Sequence, residues 1–353
     1  WLAYGVGLAA LASGLTSMAT GSRVFSGYFE GLFPNVPHFL IILVFGLALG
    51  AIVMRGIKES IWLNSLCTLI ELSGLLIVIA VGFGYIGNVN YLDATTATNP
   101  TGGLGVSVIL SGAVLTFYSF VGFEDMLNVG EEVKNPTRTL PLGLVLSVLI
   151  SSCVYVLISI VAISVVPADV LANSNQPLVD VVAKAAPWFP IKLFSVISMF
   201  AVTNTALLNF IMGSRIMYGM ANQGLLPKVL AKVHKKRKTP YVAAAVVLVI
   251  MLGLALSGDI SSLAKATSVL LLVCFSLVNL ALVVLKRNPN EPKGSFEIPT
   301  FVPLLGAAVC VALLFHAKGP EWMTAGGILL FIAILWFVLK PKTDSIVKID
   351  GLE

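Results

Sequence analysis

Apolar residues run through this chain in long, nearly unbroken blocks separated by short polar segments. Phe39 to Met54, Leu142 to Val166 and Val242 to Leu256 are the clearest of them. A helix needs about 20 apolar residues to cross a hydrocarbon core of about 30 Å. The blocks lack the apolar/polar alternation of a lipid-facing barrel strand. Backbone groups in lipid must also bond within their own segment, which leaves helices. The pattern therefore predicts an all-α integral membrane protein, a single membrane domain over residues 1–353 with about ten transmembrane helices. The spans are expected near 2–31, 38–54, 60–87, 105–129, 140–165, 187–221, 240–257, 261–285, 301–317 and 322–340.

Composition removes the soluble alternative. Of 353 residues, 58% are hydrophobic and 11% charged, and the mean hydropathy is +0.97. A soluble domain carries about a quarter of its residues as Asp, Glu, Lys and Arg, so lipid must solvate most of this surface. The net charge of +5 marks sidedness and not a nucleic-acid partner. With residue 1 inside, 16 of the 22 basic residues fall in inside loops, among them Arg55, Lys58, Lys134, Arg138 and the run Lys228, Lys232, Lys235, Lys236, Arg237 and Lys238. The outside keeps Lys184, Lys192 and Lys318, as the positive-inside rule expects. The run 228–238 reads as a solvated anchor, with anionic lipid heads as the lesser option. Between Pro167 and Pro187, the stretches Asp169 to Ala172 and Pro177 to Ala185 are expected to form short surface helices.

Cys67, Cys153, Cys274 and Cys310 all lie in apolar spans without metal-ligand spacing and read as small buried hydrophobes. His38, His234 and His316 are scattered. There is no phosphate loop, dinucleotide fingerprint or HExxH helix, so neither an enzyme nor a cofactor is expected. Trp1 opens the chain inside a span, without initiator Met or signal-peptide n-region, and the sequence reads as a piece of a longer protein.

Ionisable groups within a membrane are costly and face a cavity or a partner. Glu71 shares one helical face with Asn64 and Thr68; such a carboxylate exchanges a proton, holds a cation or pairs with a base. The segment Phe117 to Asp125 sets Gly122 beside Glu124 and Asp125 deep in a span. That is a poor continuous helix, and transporters break helices at such points so that free carbonyls and half-helix ends meet the substrate; a kinked packing helix is the alternative. Two further polar stripes, Thr205, Asn209 and Gly213 with Asn204 beside them, and Ser13, Thr16, Thr20 and Arg23, read first as helix-packing glue, as do Gly46 and Gly50.

Phe120 to Glu124, followed by Glu131-Glu132-Val133-Lys134-Asn135-Pro136-Thr137-Arg138-Thr139-Leu140-Pro141, resembles the motif of the amino acid–polyamine–organocation (APC) permeases. Ser214 to Met220, Gly224 to Pro227, Thr239 to Tyr241 and Phe296 to Pro299 are similar to later family elements. Pro141 suits the first turn of the next helix. The resemblance implies two five-helix inverted repeats followed by two extra helices, with the chain lacking the family's first two. In relatives the first of those two helices carries a Gly-rich break that forms the other half of the substrate site, so this chain alone is expected to lack a complete pocket. On that pattern Tyr118, Ser119, Phe120, Val121 and Gly122 form the unwound substrate segment, with Tyr118 as the outer gate and Glu124 tied to the inner half. Some proton-coupled relatives carry Lys where this chain has Glu71.

The resemblance implies a plasma-membrane secondary transporter of amino acids working by alternating access. Glu71, Glu124, Asn204 and Thr205 are the residues for a proton or other coupling ion. An uncoupled polyamine or amino-acid exchanger and a non-transporting sensor or scaffold are the rival readings. No disulfide-linked partner is expected, because the outer loop Gly31 to His38 holds no Cys.

Overall fold

The computed structural model describes residues 2–91, 105–124, 126, 133–174, 176–288, 297–317 and 319–339. These form twelve α-helices and no strand among the described residues: α1 Leu2–Leu32, α2 His38–Arg55, α3 Ile57–Gly82, α4 Val106–Thr116, α5 Pro136–Val165, α6 Ala168–Asn173, α7 Pro177–Ala185, α8 Ile191–Asn222, α9 Tyr241–Ser257, α10 Ile260–Arg287, α11 Phe301–His316 and α12 Gly319–Leu339. Five stretches are long and apolar enough to cross a membrane: His38–Arg55, Trp62–Tyr85, Pro136–Val165, Ile191–Asn222 and Ile260–Arg287. The protein is a multi-pass membrane protein.

Burial is inverted relative to a water-soluble bundle. The most apolar window of α5 is only 11% buried, and it turns Leu142, Leu149, Ile150 and Val156 outward. By contrast α1, rich in Gly, Ala, Ser and Thr, is the hub, packed on α8 and α10 above all and also on α9, α2 and α12. Lipid tails are as apolar as leucine, so helices associate through close van der Waals contact and interhelical hydrogen bonds. Small and hydroxylic residues therefore go inside and branched aliphatics face lipid. Ser13, Thr16, Ser17, Thr20, Ser22 and Ser26 of α1 are all buried. Thr16 Oγ1 lies 2.6 Å from Thr267 Oγ1 and fastens α1 to α10. The Arg23 guanidinium donates to the Ala255 carbonyl of α9 at 2.7 Å.

Gly46 and Gly50 let α2 approach α9. A Cβ on Gly46 would meet Leu252 Cδ2 at 2.8 Å and Met251 Cε at 3.0 Å, and one on Gly50 would meet Leu248 Cδ2 at 3.0 Å. The short helices α6 and α7 bridge α5 and α8. Val179, Val181 and Val182 are buried, and Gln176 Nε2 donates to the Gly27 carbonyl of α1 at 2.9 Å.

The span expected at 105–129 is interrupted, as its residue chemistry suggested: α4 stops at Thr116 and a 3-10 turn follows from Phe117 to Phe120. Two expectations need correction. Helix α5 starts at Pro136, whose missing N–H costs nothing at a first turn, so Pro141 lies inside the helix and not at its start. Cys153 is exposed on α5, whereas Cys67, Cys274 and Cys310 are buried. A helix packed on few neighbours offers a small apolar residue to lipid as readily as to protein. Asp125 and residues 127–132, with much of the family-like motif, lie outside the described residues, as does Phe296.

Asp259 closes the turn into α10 by accepting a hydrogen bond from the Ser262 backbone N–H at 3.0 Å. Hydrogen bonds from Ser262 hold its carboxyl below the usual carboxylate range. A lowered value contributes stability above that range, and the contribution is lost as pH falls through the folded-state value. Asp259→Ala is expected to cost about 0.5–2 kcal/mol at neutral pH. Thermal unfolding in detergent at descending pH should bring variant and parent together; a constant gap would refute the capping role.

Candidate functional site

The chain leaves helical geometry where aromatic residues give way to Gly122. Beyond the 3-10 turn, Val121 is extended at φ −61°, ψ 129°, its N–H bonding to the Tyr118 carbonyl at 3.2 Å. Gly122 then takes φ +116°, a region that L side chains disfavour. Its N–H donates to Glu124 Oε2 at 2.9 Å, so the acid two residues on satisfies a backbone donor that the break releases. The expected unwinding between Tyr118 and Gly122 is thus present as geometry.

The turn is held from three sides. The Tyr118 hydroxyl reaches Ser17 Oγ of α1 at 3.3 Å, and Ser17 also accepts from Asn209 Nδ2 of α8 at 3.4 Å. Gly14 makes room for that contact, since a Cβ there would stand 3.4 Å from Asn209 Oδ1. Phe117 and Phe123 pack on Phe275 of α10, with ring centroids 6.0 and 5.6 Å apart. Phe120 meets Tyr155 of α5 edge to face at 5.3 Å. The Ser119 side chain is exposed.

A second polar cluster lies across α3 and α8. Asn204 Nδ2 donates to Glu71 Oε2 at 2.9 Å and to Thr68 Oγ1 at 3.0 Å. Among the described residues no lysine, arginine or histidine forms an ion pair with Glu71. Asn204 Oδ1 and Asn64 Oδ1 are buried and, among the described residues, without a hydrogen-bond partner. Buried acceptors without partners are expensive. A carboxylate beside such oxygens suits a group that brings a proton or a small cation.

Of the coupling candidates, Glu71 and Asn204 are therefore in direct contact, and Glu124 belongs to the break. Thr205 is exposed; its carbonyl accepts from Asn209 Nδ2 at 3.0 Å, and it does not join the Glu71 cluster. Ser17 and Tyr155 were not singled out from the sequence. Ser17 sits one position after Thr16 in an already polar helix, a weak signal. A lone tyrosine in the apolar run of α5 offers none.

The family model described as amino acid permease matches residues 1–342. The chain belongs to that family. It is similar to the methylthioribose transporter of Bacillus subtilis, with 28% identity over 84% of this chain and 62% of the relative. It is also similar to a branched-chain amino acid permease of Bacillus subtilis, with 29% identity over 88% of this chain and 65% of the relative. A cationic amino acid transporter of Mus musculus is 29% identical over 83% of this chain and 48% of the relative. The chain thus spans about half to two-thirds of the length of these curated relatives. Among the described residues of this member of the amino acid permease family, the interrupted helix and the Glu71 cluster are the places where a carboxylate meets the polar groups of the bundle.

Proposed function

We propose that the protein is a secondary transporter of amino acids in the plasma membrane, working by alternating access and coupled to protons. The observation that carries this reading is the interrupted helix at Val121 and Gly122, set among aromatic and hydroxyl groups in the interior of the bundle. An amino acid presents an ammonium and a carboxylate at once. Unwound carbonyls near Ser119 to Val121 suit the ammonium, and free backbone N–H groups at a half-helix start suit the carboxylate. Tyr118, tethered to Ser17, is the outer gate. Glu71, in contact with Asn204, takes up the proton.

The test is uptake by the full-length protein in proteoliposomes, with and without an inward proton gradient. The panel contains branched-chain and cationic amino acids, and also methylthioribose because of the first relative's name. Gradient-driven accumulation of an amino-acid class is expected. Exchange without accumulation would remove proton coupling, and binding without flux would favour a sensor. Accumulation of methylthioribose alone would move the substrate to a neutral thioether sugar. A fluorescent fusion reports the membrane, with the cell surface expected.

Tyr118→Phe keeps the ring and deletes the hydroxyl that meets Ser17. One lost hydrogen bond of about 1 kcal/mol should lower uptake roughly fivefold at subsaturating substrate, seen as a raised apparent KM. Unaltered kinetics would take the gate role from Tyr118.

A further inference from the structure

A cavity of about 590 Å³ lies between α1, α9 and α12, away from both polar clusters. Its walls include Leu8 and Leu15 of α1, Val246 and Leu254 of α9, Gly327 of α12, and Leu230 from the turn that follows α8. The hydroxyl of Thr16, also on the wall, is engaged with Thr267 and with the carbonyls of Ala12 and Ser13. It offers little to a polar ligand. Cavities lined this way stay dry and take apolar occupants. From Val246 to Leu254 the wall rises about 12 Å at 1.5 Å per residue, against about 15 Å for half of a 30 Å hydrocarbon core.

The loop at one end of the cavity has the opposite character. Leu230 belongs to the 3-10 turn Lys228–Ala231, so the wall of the cavity and the basic loop are one segment. Lys228 and Lys232 flank Leu230 in sequence, and Lys235, Lys236, Arg237 and Lys238 follow; all six are exposed. No aspartate or glutamate occurs from residue 181 to 258. Among the described residues none of the six forms an ion pair. An apolar slot about one leaflet long, walled at one end by the turn that carries Lys228, complements a molecule with an apolar chain and an anionic head.

We propose that this cavity is a binding site for one anionic glycerophospholipid, its acyl chain between α1, α9 and α12 and its phosphate on the loop Lys228 to Lys238. The bilayer supplies the occupant at high local concentration, and basic groups near an anionic surface are attracted to it. The site needs only the membrane embedding of the chain and is independent of its transported substrate.

The test is native mass spectrometry of the full-length protein taken from bilayers of equal phosphatidylglycerol and phosphatidylcholine. One phosphatidylglycerol per chain should persist, preferred at least tenfold. Each basic group near the surface is worth about fivefold in lipid occupancy, so Lys228→Gln with Lys232→Gln should weaken the preference roughly 25-fold. Both positions are exposed, and circular dichroism should show unchanged helix content. Gly327 lies on the cavity wall and a Cβ there meets nothing within 4 Å, so the ring of Gly327→Phe has room to fill the cavity and should displace the lipid with the loop charge intact. Equal retention of the two lipids would overturn the proposal. So would full retention in Gly327→Phe, or a second copy of the chain bound in place of lipid.

Discussion

Gly122→Ala is expected to lower substrate uptake roughly 5- to 150-fold while leaving the protein folded and inserted. The reason is confined to the backbone. At φ +116° Gly122 occupies a region that L side chains rarely adopt, yet a Cβ there would meet no atom within 4 Å. The substitution therefore adds no clash and fills no space. It penalises the interrupted conformation by about 1–3 kcal/mol, equivalent to a roughly 5- to 150-fold shift away from it. Gly112 provides the control, being a helical glycine of α4 whose Cβ would also meet nothing. Gly112→Ala removes backbone freedom from the unfolded chain without strain and should transport as the parent does. The readouts are initial uptake rate in proteoliposomes, helix content by circular dichroism and elution as a single species. Parent-like transport by Gly122→Ala would mean that the break is not where substrate meets the protein. Equal losses at both positions would point to general damage in α4.

The same segment shows what could be read from the sequence. A glycine between aromatic residues and two acids has no good place in a continuous membrane helix, so the interruption near Gly122 was legible from residue chemistry. The bond from its N–H to Glu124 follows from the short separation of the two. The role of Ser17 as the fixed end of Tyr118 was not legible. It lies 101 residues away in the chain, and its helix carries five other buried serines and threonines. Only the rotation of α1 against α4 and α8 selects among them. The Glu71 stripe was similarly half visible. Helical spacing aligned Asn64, Thr68 and Glu71, whereas contact with Asn204 depends on how α3 crosses α8, and that crossing presents Asn204 inward and its neighbour Thr205 outward. Lipid removes the usual guide, because apolar residues face both inside and outside. In α1 the small and hydroxylic residues were the better indicators of the interior.

Glu71→Gln is expected to abolish gradient-driven accumulation and to spare substrate exchange. Glutamine keeps the length of the side chain and an oxygen that can accept from Asn204 Nδ2, a contact of 2.9 Å in the parent. The network therefore persists without a titratable group. One proton moving down 100 mV supplies about 2.3 kcal/mol, enough for up to roughly 50-fold accumulation of a co-transported neutral solute. That whole factor rests on the carboxylate if Glu71 is the proton acceptor. Uptake by the parent should rise as the outside is acidified at fixed internal pH, and the variant should be flat. Counterflow at equal pH on both sides should proceed at similar rates in the two proteins, because the proposed substrate segment at Tyr118 to Gly122 is untouched. Asn204→Ala separates charge from scaffold: it leaves the acid and removes its donor, so it should shift the pH dependence and not erase it. Accumulation by Glu71→Gln equal to that of the parent would assign Glu71 to packing between α3 and α8 and send the search for the proton acceptor to Glu124.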